Sequence, residues 1–154
     1  MNIKKYIYKL PFNDDLKKRI FITTQCKDCD DIRKVKNAGK VFKLKKYSYQ
    51  LMHNGIKVLK DGYHGRGITE IVKLCTGHHE PQEEKVFFNI LKRIKKNGLM
   101  IEFGAHWSYY SLWFNKEIDN SSNIMVEPDL NNMDIGKFNF KINDAKGEFI
   151  NAFV

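Results

Sequence analysis

The sequence predicts an α/β fold whose C-terminal half contains an open parallel sheet. Three observations support this prediction: buried strand-like runs at 99–103, 123–128 and 147–154, helix-like segments between them, and turn residues at the junctions. Strands that alternate with helices favour a parallel sheet, because parallel neighbours need a crossover connection.

Composition divides the chain of 154 residues into two regions. Residues 1–98 hold 23 Lys/Arg and 10 Asp/Glu, which gives a net charge of +13. Residues 99–154 hold 4 Lys/Arg and 8 Asp/Glu, which gives a net charge of −4. We predict a lead-in region over 1–77 and the N-terminal half of a ligand-binding domain over 78–154. The basic region is interpreted as a solvated lysine-rich surface, since scattered lysines contribute little that is specific. An anionic partner is the alternative.

Location is predicted from the absence of export and membrane signals. No run approaches the roughly 18 apolar residues of a membrane span, and "MNIKKYIYKLPFNDD" lacks the apolar stretch of a signal peptide. An odd, low cysteine count fits a reducing compartment. We therefore expect a cytoplasmic protein.

Two short clusters could suggest a metal site. Cys26-x-x-Cys29 is half of a zinc motif, but no second pair is apparent, and Cys75 is interpreted as another free thiol. His78-His79-Glu80 lacks the spacing of a His-Glu-x-x-His site. We predict no metal.

The lead-in region carries one strong local signal. Asn54-Gly55 lies between two strand-like runs and predicts a hairpin, because both positions tolerate positive φ. His53 and His64 lie beside turns and are predicted at the surface. The predicted elements are an irregular stretch with short helix over 1–34, strands over 41–53 and 56–60, and a helix over 68–75.

In the second region the clearest helix begins near Pro81. Acidic residues follow Pro81, basic residues precede Asn97-Gly98, and an apolar stripe includes Val86 and Ile90, which predicts a helix over 81–96. The remaining predicted elements are a loop over 104–108, a helix over 109–117, and a helix that starts after Pro128 and breaks near Gly136.

This order of elements predicts where a ligand binds. In open parallel sheets, ligands lie beyond the carboxyl ends of the strands. Gly104 permits close backbone approach, and the helix that follows the loop directs its free N–H groups at the site. Glu127 lies 25 residues after Glu102, close to the step of roughly 20 at which an acid binds ribose hydroxyls.

The loop residues favour one class of ligand. A dinucleotide site needs several glycines, whereas this loop has Gly104, bulky His106 and Trp107, and no Lys or Arg. Glu102 would repel phosphate and attract an ammonium group. A cofactor with a ribose at one end and an ammonium at the other fits best, and S-adenosylmethionine (SAM) is such a molecule.

The segments "HHEPQEEKVFFNILKRI", "MIEFGAHWSYYSLWF" and "IMVEPDLNNMDIGKFNFKIN" resemble the opening of class I SAM-dependent methyltransferases, most closely the FkbM family. That family has an acid-x-Gly-Ala-Asn-x-Gly loop and a following strand that ends in Glu-Pro. The run Gly136-Lys137-Phe138-Asn139 to Asn143 also resembles it. The resemblance implies a Rossmann-like methyltransferase sheet, preceded here by a lead-in with a β-hairpin and a short helix.

The resemblance also implies residue roles. The acid Glu102 and the loop over 104–108 would line the methionine end of SAM, Glu127 would hold the ribose, and Pro128 would lie against the adenine. A side chain at 108, where the family has glycine, is expected to narrow the approach. The implied cofactor residues are Glu80, Glu83, Glu102, Gly104, Ala105, His106, Trp107, Ser108, Glu127 and Pro128.

The implied activity is O-methylation of a sugar, glycan or small metabolite, with no residue assigned as catalytic. Because class I enzymes have seven strands and this sequence reaches the third, we expect a fragment that carries the cofactor-binding half. One alternative is a non-catalytic SAM- or nucleotide-binding half-domain. A less favoured one is a basic nucleic-acid-binding protein, suggested by tyrosines among the lysines of the lead-in region.

Overall fold

The computed structural model of the protein describes residues 2–154, which form two three-stranded sheets and six helices. None of these helices has the length and apolar character needed to cross a bilayer. The elements in chain order are α1 (Ile3–Tyr8), α2 (Asp14–Gln25), β1 (Val41–Lys43), β2 (Ser48–Leu51), β3 (Lys57–Leu59), α3 (Arg66–Leu74), α4 (Pro81–Leu91), β4 (Leu99–Phe103), α5 (Tyr109–Glu117), β5 (Ser122–Val126), α6 (Leu130–Ile142) and β6 (Glu148–Ile150).

The C-terminal half contains the predicted parallel sheet. Its strand order is β4-β5-β6, with Leu99 opposite Ser122 and Phe103 opposite Val126. The helices α5 and α6 connect successive strands, as parallel neighbours require. The prediction of a mixed α/β fold with a parallel C-terminal sheet is confirmed. The last strand is shorter than predicted, because only 148–150 pair with β5.

The start of the chain is more helical than predicted. A helix of 12 residues, α2, lies where an irregular stretch with short helix was expected. The Asn13 side chain caps α2 by accepting a hydrogen bond from the Leu16 N–H at 2.9 Å, and Asp14 and Asp15 complement the helix dipole. The expectation is therefore wrong for 14–25, whereas the six-residue helix α1 and the irregular stretch after α2 agree with it.

The lead-in sheet is a three-stranded antiparallel meander, not a two-stranded hairpin. The predicted strand over 41–53 is interrupted by a turn, in which the Leu44 N–H donates to the Tyr47 carbonyl at 2.8 Å. The predicted turn at Asn54-Gly55 is present, although only Gly55 has a positive φ, 86°. The sheet order is β1-β2-β3.

Two predicted helix ends differ from the structure. The helix α3 agrees with the prediction, but α4 ends at Leu91 and not near residue 96. The helix α6 continues through Gly136 to Ile142. A Cβ at Gly136 would lie 2.5 Å from the Ser108 hydroxyl oxygen, so this glycine permits close packing of α6 and does not end it.

One side of the parallel sheet is covered and the other is open. Met100, Met125 and Phe149 face the core, whereas alternate residues of β4 point away from it. Ile101 and Phe103 are 48% and 63% exposed, and β4 has no neighbour along its outer edge within residues 2–154. The chain thus leaves an apolar face uncovered.

Two asparagines join the lead-in region to the parallel sheet. Asn139 of α6 and Asn143, the residue directly after α6, lie one turn apart and hydrogen-bond the backbone of β3. The Leu59 N–H donates to Asn139 Oδ1 at 2.7 Å, and the Lys57 N–H donates to Asn143 Oδ1 at 2.9 Å. Asn143 Nδ2 returns a hydrogen bond to the Lys57 carbonyl at 2.7 Å. These amides pair with the strand edge as a neighbouring strand would.

Candidate functional site

A cavity of about 400 Å³ lies at the carboxyl end of β4, where the sequence predicts a ligand site. Its volume falls in the range typical of small-molecule sites. Seven of the ten predicted residues lie on its wall: Glu80, Glu83, Glu102, Gly104, Ala105, His106 and Trp107. Four further residues complete the wall: Tyr63, His79, Phe103 and Tyr110.

The loop over 104–108 is bound tightly to the protein through its own backbone. Gly104, His106 and Ser108 have φ values of 69°, 45° and 57°. Four of its five N–H groups donate to protein acceptors, two of them to the Val126 carbonyl, so they are not free to bind an anion. This arrangement argues against a phosphate cradle.

Glu127 connects this loop to the second parallel strand. Its Oε2 accepts a hydrogen bond from the His106 N–H at 2.8 Å, and its Oε1 accepts one from the Asp129 N–H at 3.0 Å. The residue is 5% exposed, and neither it nor Pro128 lies on the cavity wall. The contact between Glu127 and a ribose stays a prediction, since a carboxylate oxygen can accept more than one hydrogen bond.

Glu102 is a half-buried carboxylate of the wall. Its Oε2 accepts hydrogen bonds from the backbone N–H and the hydroxyl of Ser111. Burial raises the pKa of Glu102 to about 7, and the hydrogen bonds from Ser111 only partly oppose that effect. Its Oε1 accepts no hydrogen bond from the residues that the structure describes, and is available to a ligand.

His79 is a buried residue of the wall, between two acids. Its Nε2 lies 3.1 Å from Glu80 Oε2, and its Nδ1 lies 2.7 Å from Glu84 Oε1. Burial lowers the pKa of His79, but these two carboxylates outweigh it and raise the pKa to about 9. His79 is therefore a cation at neutral pH whose charge the protein itself balances.

His53 was predicted at the surface and is 1% exposed. Its ring stacks on His78 with centroids 4.1 Å apart, and its Nδ1 lies 3.1 Å from the Tyr109 hydroxyl. Burial, with the nearby His78, lowers the pKa of His53 to about 3. The prediction is wrong because the turn that carries His53 packs against Gly77, whose carbonyl accepts a hydrogen bond from the His53 N–H at 3.0 Å.

An aromatic pair closes another part of the wall. Tyr63 stacks on Trp107 with ring centroids 4.5 Å apart and an interplanar angle of 13°. Burial and the neighbouring Glu80 raise the pKa of Tyr63 to about 12, so it is a neutral donor at neutral pH. Trp107 is 5% exposed, and its carbonyl accepts a hydrogen bond from Asn139 Nδ2 at 2.9 Å. The partner Tyr63 comes from the lead-in region, where it lies in the turn "GYHGRG", and no sequence pattern links it to Trp107.

Ser108 does not narrow the cavity. It is fully buried, its hydroxyl lies against Gly136 of α6, and it is absent from the cavity wall. Its hydroxyl oxygen has no hydrogen-bond partner among residues 2–154. The expectation of a narrowed approach fails because Gly136 accommodates the side chain on the opposite side of the loop.

An apolar groove of about 640 Å³ adjoins the cavity, between α4 and β4. The two share Glu83, Glu102, Phe103 and Tyr110. Part of the predicted apolar stripe of α4 lines this groove and does not enter the core, since Val86 and Ile90 are 60% and 48% exposed. The site therefore joins an acidic cavity to an apolar surface.

No protein-family model and no curated protein matches the chain. Among solved structures, the chain is similar to a protein-L-isoaspartate O-methyltransferase, with 14% sequence identity and a TM-score of 0.44. The similarity covers 90% of this chain and 42% of that one, so the chain spans less than half of the length of that structure. We draw no function from a likeness at this level.

Proposed function

We propose that the cavity binds SAM and that the chain carries the cofactor-binding half of a class I methyltransferase related to the FkbM family. The observation that carries the proposal is the acidic wall at the carboxyl end of a parallel sheet. Glu80, Glu83 and Glu102 lie on it together. SAM is cationic at its sulfonium and ammonium groups, and carboxylates are the side chains that bind such groups.

The remaining features of the wall favour SAM over a phosphate-bearing ligand. Four of the five loop N–H groups are already engaged, and neither lysine nor arginine is among the wall residues that the structure describes. The charge of His79 is balanced by two carboxylates. The stacked pair Tyr63 and Trp107 offers aromatic surface to a planar or apolar part of the ligand.

We assign different parts of SAM to different residues. We assign the ammonium group to Glu102, a residue of the wall whose carboxylate is held in place by Ser111 through Oε2. Glu127 fixes the loop over 104–108 and is assigned the ribose. An ammonium beside Glu102 lowers its pKa and keeps it ionised.

When bound, SAM would supply the methyl group for transfer to an acceptor hydroxyl, with S-adenosylhomocysteine as the leaving product and the hydroxyl proton passing to water. The chain contributes chiefly by positioning the reactants. We propose a sugar, glycan or small metabolite as acceptor. No general base is assigned.

Isothermal titration with SAM tests the proposal. The wild type should bind, Glu102→Gln should weaken binding by about 10- to 100-fold through loss of a charge-assisted hydrogen bond, and Glu117→Gln, an exposed acid on α5, should leave affinity unchanged. No heat for the wild type, or equal affinity in Glu102→Gln, would overturn it.

Two further titrations separate the alternatives. Tighter binding of ATP or a dinucleotide than of SAM would favour the nucleotide-binding half-domain. Binding of an oligonucleotide that falls steeply with salt would favour a role for the basic residues 1–98.

A further inference from the structure

A second cavity, of about 130 Å³, is lined by all three cysteines of the chain and by His78. These residues form two pairs with the same spacing. Cys26-x-x-Cys29 follows α2, and Cys75-x-x-His78 follows α3. A two-residue spacing between ligands is typical of zinc sites. The fold thus places the pair Cys26 and Cys29 and the pair Cys75 and His78 on the wall of one cavity.

The ring of His78 has the surroundings of a metal ligand. Its Nδ1 is hydrogen-bonded to Oε2 of Glu84, and its Nε2 is buried with no partner within residues 2–154. His78 is 2% exposed, so this nitrogen does not reach water. A carboxylate on one ring nitrogen and a metal on the other is how zinc-binding histidines are oriented.

The sulfur of Cys29 lies close to this ring, and Cys26 and Cys75 lie on the wall of the same cavity. None of the three cysteines forms a disulfide. Ligand atoms of Cys29, His78 and Glu84 lie within 4.8 Å of one another. Glu84 is fully buried, and its other oxygen accepts a hydrogen bond from the His79 N–H at 2.8 Å. The two carboxylate oxygens are thus engaged by histidines. The Cys29 thiol donates a hydrogen bond to the Pro81 carbonyl at 3.0 Å, a bond that a thiolate bound to a metal would give up. The three sulfurs and Nε2 of His78 are the remaining donors of the cavity wall.

We propose that Cys26, Cys29, Cys75 and His78 bind one zinc ion, with Glu84 orienting His78. Four protein ligands complete a tetrahedral shell, so the site is structural and has no open position for a substrate. It would join the segment after α2 to the turn before α4, the helix that carries Glu83. The site is independent of the proposed cofactor.

Metal analysis of the whole chain tests the proposal directly. Protein loaded with zinc and then dialysed should retain one zinc per chain. Cobalt in its place should give a thiolate-to-metal charge-transfer band, and zinc should protect all three thiols from a thiol reagent. These measurements use the wild type, so they do not depend on a variant that folds.

Variants identify the ligands. Cys26→Ser and Cys75→Ser should each weaken the charge-transfer band by about a third, since one of three thiolates is lost. Glu84→Gln should lower metal affinity by about 10- to 100-fold. Thr24→Ala, which changes another residue of the cavity wall, should bind as the wild type does. Absence of retained zinc, absence of the cobalt band, or thiols equally reactive with and without zinc would overturn the proposal.

Discussion

Ser111 donates two hydrogen bonds to the same oxygen of Glu102, from its backbone N–H at 3.2 Å and from its hydroxyl. Ser111 lies in the first turn of α5 and is fully buried. The helix therefore holds the carboxylate at one side of the cavity. These hydrogen bonds lower the pKa of Glu102, but the effect of burial is larger and raises that pKa to about 7.

Glu102 should make the protein less stable as pH rises. Its pKa is about 7 in the folded state and near 4.5 when unfolded, so between these values the folded state binds more protons. The free energy of unfolding should fall across this window by up to about 3 kcal/mol, and Glu102→Gln should remove that fall. Urea unfolding at pH 5 and pH 8 measures it. An unchanged pH dependence in Glu102→Gln, or a loss of it in the control Glu117→Gln, would contradict the assignment.

The affinity for SAM should depend on the same ionisation. An ammonium group binds the carboxylate form, so the dissociation constant should rise as pH falls below about 7, approaching tenfold for each pH unit. Titrations between about pH 5.5 and 7 measure this slope. Glu102→Gln should show weak binding without the slope. A slope that persists in this variant would place the titrating group elsewhere.

Removal of the buried carboxylate of Glu84 should destabilise the fold strongly. Glu84→Gln leaves His79 without one of its two anionic partners, and breaking a buried pair costs about 3–5 kcal/mol. In the wild type, the raised pKa of His79 stabilises the fold below about pH 6.5, and this contribution is lost as pH rises through about 9. Chemical denaturation gives both quantities. Glu83→Gln, an exposed acid of the same helix, should change stability little.

Gly136→Ala should displace the loop over 104–108. A Cβ there would lie 2.5 Å from the Ser108 hydroxyl oxygen and 3.1 Å from the His106 carbonyl oxygen. We therefore expect the free energy of unfolding to fall by about 1–3 kcal/mol. Ser108→Gly removes one of these contacts and a side chain at φ 57°, so the double variant should regain part of the loss. Thermal denaturation of the two single variants and the double variant measures the coupling. Strict additivity would show that the two residues do not touch.

The position of the cavity could be predicted because it follows from the order of the elements. Once strands and helices alternate, the loop after β4 and the acids beside it must lie at one end of the sheet. Tyr63 and His79 could not be placed there, because they reach the wall through contacts between distant segments. The second ligand pair of the proposed zinc site was missed for the same reason, since 45 residues separate Cys29 from Cys75.

Other differences arise where packing overrules local preference. Gly136 weakens a helix locally, yet α6 continues because only glycine fits against Ser108. The missed helix α2 is a different case. Asn13 and the two acids after it are a visible cap, but the apolar residues that follow have weak periodicity.

The side-chain amide of Asn139 joins the lead-in sheet to the loop over 104–108. The side chain of Asn139 accepts the Leu59 N–H and donates to the Trp107 carbonyl, so neither partner can move away without breaking a buried hydrogen bond. Local opening of the loop therefore exposes the Leu59 amide to solvent exchange. A ligand that orders residues 104–108 will slow hydrogen exchange at Leu59, which is not part of the cavity wall. Occupancy of the site can thus be followed at the edge of the antiparallel sheet.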